Sequence, residues 1–508
     1  MSLPTPPADG LITRLDTALT PDPARVLARL FVPGHEIVAT TDSRATGVLA
    51  RVLAIPEDDV GPMLRDVLAR FVDRHRDLAG VLAANYARIA HRIPDGAALT
   101  EQRRTLIGAW FTHEYAIEAA ALFNPSVVPH PDQSGLPTGH LRFVLSLRAV
   151  GEGHLSSIEF RTGVLGEGHD LRLDDPGTHV ETGRPWPTRH DRNVFAALLA
   201  ADGSAEESAQ FLVDQLPERF ADTDLELAIA GLASQRLTRY GGTHIQELAR
   251  RIARSSYQVE FPAASALAER VLWPHSPTES AGMEDARFVR TTADDGSPTY
   301  RATYTAFDGT RIAPQLIETP DFRRFRFSPL AGPAAQNKGM AFFPRLVGGR
   351  HVALSRWDRE NNSIAFSADG RWWGEPHTLH VPSRPWELIQ TGNCGSPVET
   401  DAGWLVLTHG VGPMREYAIG ALLLDLDDPT RVLGALREPL LSPAADERDG
   451  YVPNVLYSCG ALRHGDRLLL PYGASDVAVR FAVVDLPALL ARLIADGPPP
   501  AIRENSAA

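Results

Sequence analysis

The sequence predicts a mainly β fold that carries an α-helical N-terminal domain and a helical insertion. Three observations support this: a helical apolar period near the N-terminus, strand-like runs beyond about residue 124, and a second helical period at about 190–254. From about 285 to 485, turn signals recur roughly every 8 to 12 residues, as in a sandwich, a barrel or a propeller. The segments GRHVALSRW, AGWLVLTHG and GDRLLLPYG each contain a turn, an apolar strand and a polar or aromatic end. Their common form favours radially repeated blades over the alternative, a generic β-sandwich.

The N-terminal helices are predicted from apolar residues at three- and four-residue spacing between about 22 and 122. Apolar residues within 27–31 begin this pattern, and arginines and acids occupy the opposite faces. Thr100 precedes a further helical run and is a candidate N-cap. The helical period ends at about residue 124. Residues 1–122 are therefore expected to form an α-helical N-terminal domain.

Beyond this domain the apolar period becomes that of strands. Runs such as 141–147 and 158–161 are separated by Gly, Asp and Pro. The helical stretch at about 190–254 interrupts this region and is interpreted as an insertion. We expect a β domain over 123–490, followed by a C-terminal tail at 491–508.

The composition excludes several classes of protein. A formal net charge of -13 and a pI near 5.7 argue against nucleic-acid binding, which needs a broad basic surface. No window approaches the roughly 18 apolar residues of a membrane span, and the N-terminus lacks the pattern of a signal peptide. Cys394 and Cys459 are the only cysteines. A cytoplasmic protein without membrane partners is expected.

Lys338 is the only lysine, because the other 49 of the 50 basic residues are arginines. Arginine satisfies most surface roles, whereas a compact ammonium on a flexible stem serves where a planar guanidinium does not fit. We therefore expect a functional role for Lys338 rather than an incidental surface position.

Most common catalytic motifs are missing, among them the Walker A loop, the Gly-x-Ser-x-Gly elbow and zinc-ligand spacings. What remains is a set of carboxylates, arginines and aromatic residues at predicted strand ends, in GMEDARF (282–288), TYTAFDGT (303–310) and NKGMAFFP (337–344). Carboxylates can protonate a glycosidic oxygen while polar groups and aromatic faces hold a sugar ring. This mixture suits a carbohydrate substrate.

Together and in this order, these motifs resemble glycoside hydrolase family 130, whose members carry Glu-Asp-x-Arg followed by a Tyr-Thr-Ala strand. The resemblance continues through FNPSVVP (123–129), LSLRAVGEGHLSSIEFRTG (145–163), NCGSPVETDAGWLVLTHGV (393–411) and YVPNVLYSCGALRHGDRLLLPYGASD (451–476). It covers most of 124–485 and implies a five-bladed β-propeller. The N-terminal helices and the insertion lie outside the family's minimal core.

The resemblance also implies roles for individual residues. Asp285 matches the family's proton donor, and Lys338 falls where its phosphorylases hold inorganic phosphate. The candidate phosphate-binding residues are Lys338, Arg148, Arg161, Arg356 and His409. The candidate substrate-binding residues are Glu284, Arg287, Tyr304, Asp308, Asn393, Tyr451, Asn454 and Asp476.

The chain departs from the family at several of these positions. Ser157 stands where many relatives have an anion-binding arginine, and Arg161 is the candidate replacement. Tyr451 stands where an acid is common, and Ser355 precedes Arg356 where a histidine is common. These departures bear on the exact substrate and on the use of phosphate.

The function implied is that of an inverting β-mannoside phosphorylase, which cleaves β-1,2-linked manno-oligosaccharides with inorganic phosphate to give α-mannose 1-phosphate. The first alternative is a β-1,2-mannosidase, an inverting hydrolase in which Glu399, Asp358 or Asp476 activates water. A non-catalytic carbohydrate-binding propeller is a second alternative. Phosphate would be a co-substrate, no metal or other cofactor is expected, and a homo-oligomer is expected to form through the N-terminal helices.

Overall fold

The computed structural model describes residues 10–33, 44–93, 98–186, 188–201, 206–234, 242–292 and 295–500. Its α-helices are α1 Arg44–Leu53, α2 Glu57–Phe71, α3 Leu78–Ile89, α4 Glu101–Trp110, α5 Arg192–Ala200, α6 Glu206–Gln215, α7 Asp222–Ser234, α8 Gly242–Arg254 and α9 Leu486–Asp496. Its strands are β1 Ile12–Leu19, β2 Val26–Leu30, β3 Thr112–Ala116, β4 Ala121–Pro129, β5 Leu141–Val150, β6 Ser156–Leu165, β7 Leu171–Leu173, β8 Glu181–Thr182, β9 Arg184–Trp186, β10 His190–Asp191, β11 Arg219–Phe220, β12 Tyr257–Glu260, β13 Arg270–Leu272, β14 Gly282–Thr292, β15 Pro298–Phe307, β16 Ile312–Thr319, β17 Arg324–Pro329, β18 Ala341–Phe342, β19 His351–Ser355, β20 Asn362–Ser367, β21 His377–His380, β22 Gln390–Asn393, β23 Val398–Thr400, β24 Gly403–Val411, β25 Tyr417–Leu424, β26 Val432–Ala435, β27 Leu456–Tyr457, β28 Leu462–His464, β29 Arg467–Ala474 and β30 Ala478–Asp485. The predicted mainly β class is confirmed.

Five antiparallel units of four strands each organise the β region of the described chain. We name them sheets I to V: β4-β5-β6-β7, β14-β15-β16-β17, β18-β19-β20-β21, β22-β24-β25-β26 and β27-β29-β30-β1. A parallel pairing of Gly282 with Ser156 joins sheets I and II. The three repeated sequence segments contain β19, β24 and β29, which are the second strands of sheets III, IV and V. Their similar form therefore reflects equivalent places in three sheets.

Hydrophobic clusters lie between successive sheets and link sheet V back to sheet I. Because alternate side chains of a strand point to opposite faces, each sheet contributes to the cluster on either side of it. Representative pairs, in the order I–II, II–III, III–IV, IV–V and V–I, are Phe160 with Phe288, Leu316 with Phe342, Leu354 with Val406, Leu407 with Leu470, and Leu147 with Phe481.

The N-terminal region contains strands as well as the predicted helices. Sequence analysis predicted helix over residues 27–31, but β2 and β3 form an antiparallel pair, and β1 pairs with β30 in sheet V. A five-residue apolar run fits both periods, so tertiary pairing decides between them. Helices α1, α3 and α4 pack around a core that includes Ile107 and Phe111, and α2 packs on α4 through Val60, Leu64 and Leu106. Thr100 caps α4 as predicted, accepting a hydrogen bond from the Arg103 N–H at 3.2 Å.

The two other helical regions differ in how well the sequence predicted them. Helices α5 to α8 occupy 192–254, as predicted, and enclose their own apolar core. The C-terminal tail was expected from residue 491, but α9 continues to Asp496 because Leu489 and Leu493 are buried against sheets IV and V. No helix among the described residues is long and apolar enough to span a bilayer.

Candidate active site

A cavity of about 480 Å³ is lined by side chains from strands of sheets I, II, IV and V and from segments flanking sheet III. Its wall contains three carboxylate- or amide-bearing groups from sheets I, II and V, and a cluster of cations from the segments flanking sheets III and IV. The lining residues are Phe123, Asn124, Arg148, Asp285, Thr310, Ile312, Asn337, Lys338, Arg356, Arg359, Gln390, His409, Arg415, Tyr417, Val455, Tyr457 and Asp476.

Backbone strain is concentrated at this cavity. Six of the eleven described non-glycine residues with positive φ line it: Asn124, Asp285, Asn337, Arg359, Arg415 and Asp476. Asn124 and Asp285 sit at irregularities in the first strands of sheets I and II, where the pairing register shifts. A bulge redirects a side chain that would otherwise follow the strand's alternation, and such strain collects at functional sites.

Asp285 is held by groups from two sheets. Asn124 Nδ2 donates to its Oδ1 at 2.5 Å, and Arg148 Nη1 donates to the same oxygen at 3.3 Å. Arg148 Nη2 also donates to Glu284 at 2.7 Å. Burial raises the pKa of the Asp285 carboxyl, but the charges of Arg148, Lys338 and a buried arginine, with the Asn124 bond, outweigh it and hold the pKa at about 2. The carboxylate is therefore an ion at neutral pH.

Arg287 is buried behind the cavity wall and holds the backbone of Asp285 in place. It is 1% exposed and donates to the Asp285 carbonyl oxygen at 2.7 Å, to the Tyr457 hydroxyl at 2.9 Å and to the Cys394 carbonyl oxygen at 3.0 Å. These bonds connect sheet II with sheets IV and V. Arg287 is thus a positioning residue for Asp285 rather than a group that faces the cavity.

Asp476 is the second carboxyl of the cavity, and its electrostatic environment is opposite to that of Asp285. Burial and the negative charge of Asp285 raise the pKa of Asp476 to about 6, although Arg148, Lys338 and Arg415 oppose the shift. Two carboxyls whose pKa values are pushed apart provide one group that is ionised and one that holds a proton near neutral pH.

Replacing Asp476 with Asn should stabilise the protein in a pH-dependent way. Because the pKa of Asp476 rises from 3.8 to about 6 on folding, the native state binds the proton more tightly, and stability falls as pH rises through this window. Asp476→Asn should therefore raise the free energy of unfolding at pH 7.5 by on the order of 2 to 3 kcal/mol, with little effect at pH 3.5. Urea unfolding at the two pH values measures this, and an equal change at both would contradict it.

Lys338 and Arg356 are cations of the cavity wall, and His409 lies close to both of them. No hydrogen bond or ion pair to the Lys338 ammonium is found in the described part of the chain, and it lies close enough to Asp285 to lower that carboxyl's pKa. Arg356 passes over Gly339 and Gly392, where a Cβ atom would come within 2.8 Å and 2.2 Å of its side chain. Both glycines are therefore required for this position of the guanidinium.

His409 faces the cavity as a neutral ring. It is fully buried, and neither ring nitrogen has a hydrogen-bond partner among the described residues. Burial and the charges of Arg356 and its cationic neighbours lower the pKa of His409 well below its usual range. The imidazole can thus donate one N–H to a ligand, but it does not supply a positive charge.

Sequence analysis missed several lining residues. Asn124 lies inside the FNPSVVP motif. Its left-handed backbone conformation distinguishes it from its neighbours, but the sequence does not show this. Arg359 and Arg415 add two exposed cations at the mouth, and each follows an already noted segment by only a few residues. Because arginine is so common in this sequence, residue type alone did not distinguish these two from the others.

The structure brings six of the predicted site residues to the cavity wall: Asp285, Lys338, Arg148, Arg356, His409 and Asp476. Glu284 and Arg287 lie directly behind it through their bonds to Arg148 and Asp285. Asn393 is buried behind the same wall, where its Nδ2 donates to Gly339 O at 2.8 Å.

The remaining predicted residues have other partners. Tyr304 donates to the buried Glu279, and Asp308 is bonded to Arg251 at 3.0 Å. Tyr451 is half exposed and contacts His154, with 3.2 Å between Tyr451 Oη and His154 Nδ1. Asn454 Oδ1 accepts from Arg448 at 2.9 Å. We infer that these side chains shape the surroundings of the cavity.

Arg161 does not replace the arginine expected at Ser157. It lies in a buried cluster with Glu118, Glu159 and Arg25. The physical reason is distance along β6, since four residues of a strand span roughly 13 Å at 3.3 Å per residue. The guanidinium is thereby carried away from the end of the strand that reaches the cavity.

A metal site was also sought among the described residues. No group of three or more His, Cys, Asp or Glu side chains there could hold an ion.

The two carboxyls and the cations of this cavity are groups that can protonate a glycosidic oxygen and bind an anion. A family model described as beta-1,4-mannooligosaccharide phosphorylase, glycoside hydrolase family 130, matches residues 244–493. A beta-1,2-mannobiose phosphorylase of Thermoanaerobacter sp. is 32% identical over 221 residues, which is 42% of this chain and 70% of that protein. The chain belongs to glycoside hydrolase family 130.

The chain is also similar to proteins from Listeria innocua. A beta-1,2-mannobiose phosphorylase of Listeria innocua is 33% identical over 215 residues, covering 41% of this chain and 59% of its own length. A solved structure of a beta-1,2-mannobiose phosphorylase from Listeria innocua with beta-1,2-mannobiose covers 74% of this chain and 92% of that chain, at 23% identity and a TM-score of 0.43. The chain thus spans between about half and two thirds of the curated relatives it matches first.

Proposed function

We propose that this protein is an inverting β-mannoside phosphorylase, which cleaves β-1,2-linked manno-oligosaccharides with inorganic phosphate and releases α-mannose 1-phosphate. One observation carries the proposal: Lys338 and Arg356 face Asp285 within one cavity. Phosphate binding needs such cations, and cleavage of a glycosidic bond needs a carboxyl. The names of the relatives, which include two β-1,2-mannobiose phosphorylases and a 1,2-β-oligomannan phosphorylase, support this linkage.

In the proposed reaction, a phosphate oxygen attacks the anomeric carbon from the face opposite the glycosidic bond. The bond between that carbon and the leaving oxygen breaks, and Asp285 supplies the proton that the leaving oxygen needs. A dianion held beside Lys338 would offset the positive charge that keeps the pKa of Asp285 low. Phosphate binding thereby favours protonation of Asp285, and Asp476 is the nearby group that exchanges a proton near neutral pH.

Hydrolysis on the same scaffold needs a carboxylate that activates water at the cavity. Glu399 is exposed and bonded to Arg345 at 2.6 Å, outside the lining residues. Asp358 accepts from the backbone of Glu360 and from Asn361 in a turn. Asp476 remains as the candidate base. It shares the cavity with Lys338, Arg356 and Arg415, and these cations favour phosphate over water as the nucleophile.

The decisive experiment is incubation of the purified protein with β-1,2-mannobiose in phosphate-free and phosphate-containing buffer. Cleavage should require phosphate, and ³¹P NMR should detect α-mannose 1-phosphate. Release of mannose at the same rate without phosphate would establish the hydrolase. Mannobiose binding without cleavage in either buffer would establish the carbohydrate-binding alternative.

We further propose that sheets I to V are the blades of a five-bladed β-propeller. Two observations support it: the hydrophobic clusters link the sheets in a cycle, and one cavity is lined by residues within or next to all five sheets. Strand β1 would close the ring, because it completes sheet V next to the C-terminal β30. Residues 123–490 would form this catalytic domain together with β1, and 192–254 would be its insertion.

Two further proposals concern the rest of the chain. We propose that the helices within 1–122 serve self-association, which the half-exposed Phe31 and Trp110 support. We also propose a cytoplasmic location, which the two free cysteines, Cys394 and Cys459, support.

A further inference from the structure

The helical insertion meets the cavity wall through a specific ion pair. Arg251, in the last turn of α8, donates from Nη2 to Asp308 Oδ2 at 3.0 Å. Asp308 belongs to the turn between β15 and β16, and Thr310 and Ile312 after it line the cavity. An element outside the β-sheets thus contacts the segment that forms part of the binding surface.

Asp308 divides its two oxygens between the turn and the insertion. Its Oδ1 accepts from the backbone N–H of Thr310 at 2.9 Å and of Arg311 at 2.7 Å, which closes the turn. Gly309 adopts φ +92°, a conformation that side chains rarely adopt. The other carboxylate oxygen of Asp308, Oδ2, accepts from Arg251. The ion pair therefore fixes where the closed turn lies relative to α8.

The end of α8 is itself anchored to sheet II. Ser255, which follows α8, is buried and donates from Oγ to the Arg251 carbonyl oxygen at 3.0 Å. The same hydroxyl lies 3.4 Å from Thr278 Oγ1, in the short helix just before β14. Because β14 carries Asp285, the insertion holds a defined position relative to the proposed catalytic carboxyl.

Thr310 and Ile312 line the same cavity as Asp285 and are more exposed than it is. Asp285 is 3% exposed, whereas Thr310 is exposed at the mouth of the cavity. A mannosyl unit with its glycosidic oxygen at Asp285 would direct the leaving sugar toward the mouth. The leaving sugar would therefore pass the wall formed by Thr310 and Ile312.

We propose that the helical insertion determines which leaving sugar the enzyme accepts, with Arg251 as the positioning residue that holds the Asp308–Arg311 turn. The proposal rests on the proposed phosphorylase function. Thr310 would offer a hydroxyl to the leaving sugar and Ile312 an apolar surface for its ring. The substrate class is a β-mannoside whose leaving group is a sugar of the size of mannose or a short oligomannoside.

The test compares Arg251→Ala with Arg250→Ala in the full-length protein. Arg250 is adjacent on α8 but pairs with Glu226 inside the insertion, at 2.8 Å through two nitrogens, so it is a matched control. In the synthetic direction, with α-mannose 1-phosphate as donor and mannose as acceptor, Arg251→Ala should raise the KM for mannose about tenfold. The KM for the donor should stay within about twofold, and Arg250→Ala should change neither.

Two variants separate the ion pair from the turn. Arg251→Lys should retain most of the wild-type acceptor KM, because a single nitrogen of Arg251 makes the contact. Asp308→Asn keeps an oxygen for the Thr310 and Arg311 amides but removes the charge, and it should resemble Arg251→Ala. Equal acceptor KM values for Arg251→Ala and Arg250→Ala would overturn the proposal.

Hydrogen exchange provides a readout that does not depend on turnover. The amides of Thr310 and Arg311 should exchange faster in Arg251→Ala than in Arg250→Ala if the pair holds the turn. Unchanged exchange in Arg251→Ala overturns the proposal even where the enzyme is active. Absence of any synthesis by the wild-type protein would contradict the phosphorylase function instead, and the exchange measurement would then decide the role of Arg251 alone.

Discussion

Asp285→Asn is expected to lower turnover of β-1,2-mannobiose by about 100-fold or more, because an amide cannot supply the proton that the leaving oxygen requires. The fold should survive the substitution. The amide oxygen can still accept from Asn124, and Arg148 retains its 2.7 Å bond to Glu284. Steady-state kinetics with saturating phosphate measures the effect on kcat, and circular dichroism checks the fold.

The matched control is Glu284→Gln. Glu284 is adjacent to Asp285 and also pairs with Arg148, yet it does not line the cavity. Its variant removes one negative charge from the same arginine and should therefore reduce kcat far less. Comparable losses of kcat in the two variants would mean that turnover depends on a negative partner for Arg148 rather than on a proton from Asp285. Near-normal kcat in Asp285→Asn would remove Asp285 from the proposed mechanism.

Lys338→Ala is expected to raise the KM for phosphate by about 10- to 150-fold, which corresponds to the loss of one charge-assisted hydrogen bond of about 1.5 to 3 kcal/mol. Mannoside binding should change less, because the sugar carries no charge for the ammonium to balance. Kinetics at varied phosphate and fixed mannobiose, and then the reverse, separates the two KM values. Lys338→Arg should retain part of the affinity, since a cation remains but a planar guanidinium replaces a compact ammonium.

Arg345→Ala is the control for this experiment. Arg345 lies seven residues beyond Lys338 and bonds to Glu399 outside the cavity, so its loss should leave both KM values unchanged. The wild-type chain also offers a chemical test, because Lys338 is its only lysine. Reductive methylation of lysine should be slowed by phosphate. Equal labelling with and without phosphate, together with an unchanged phosphate KM in Lys338→Ala, would exclude Lys338 from phosphate binding.

Much of the architecture could be predicted from local patterns. The alternation of apolar and polar residues identified β5 and β6, and helical spacing identified α5 to α8. These periods are properties of neighbouring residues, so they do not depend on the rest of the fold. Residues 27–31 show where this breaks down, since a short apolar run fits a helix and a strand equally and the partner β3 decides.

The candidate site was predictable where a motif or a rare residue type marked it. Asp285 stands in the Glu-Asp-x-Arg motif, and Lys338 is the single lysine; both line the cavity. Arg161 was assigned wrongly because sequence position does not show how far a strand carries a side chain. Asn124 was missed because its bond to Asp285 joins residues 161 positions apart.

The sequence by itself determined the mainly β class, the repeated strand units and the two residues on which the proposed chemistry centres. Tertiary structure alone decided that β1 completes sheet V beside β30, that residues within or next to five sheets line one cavity, and that Asp308 pairs with Arg251. The reason is physical. Periodicity and motifs reflect interactions between residues close in the chain, whereas strand pairing, bulges and the pKa values of Asp285 and Asp476 depend on groups that only folding brings together.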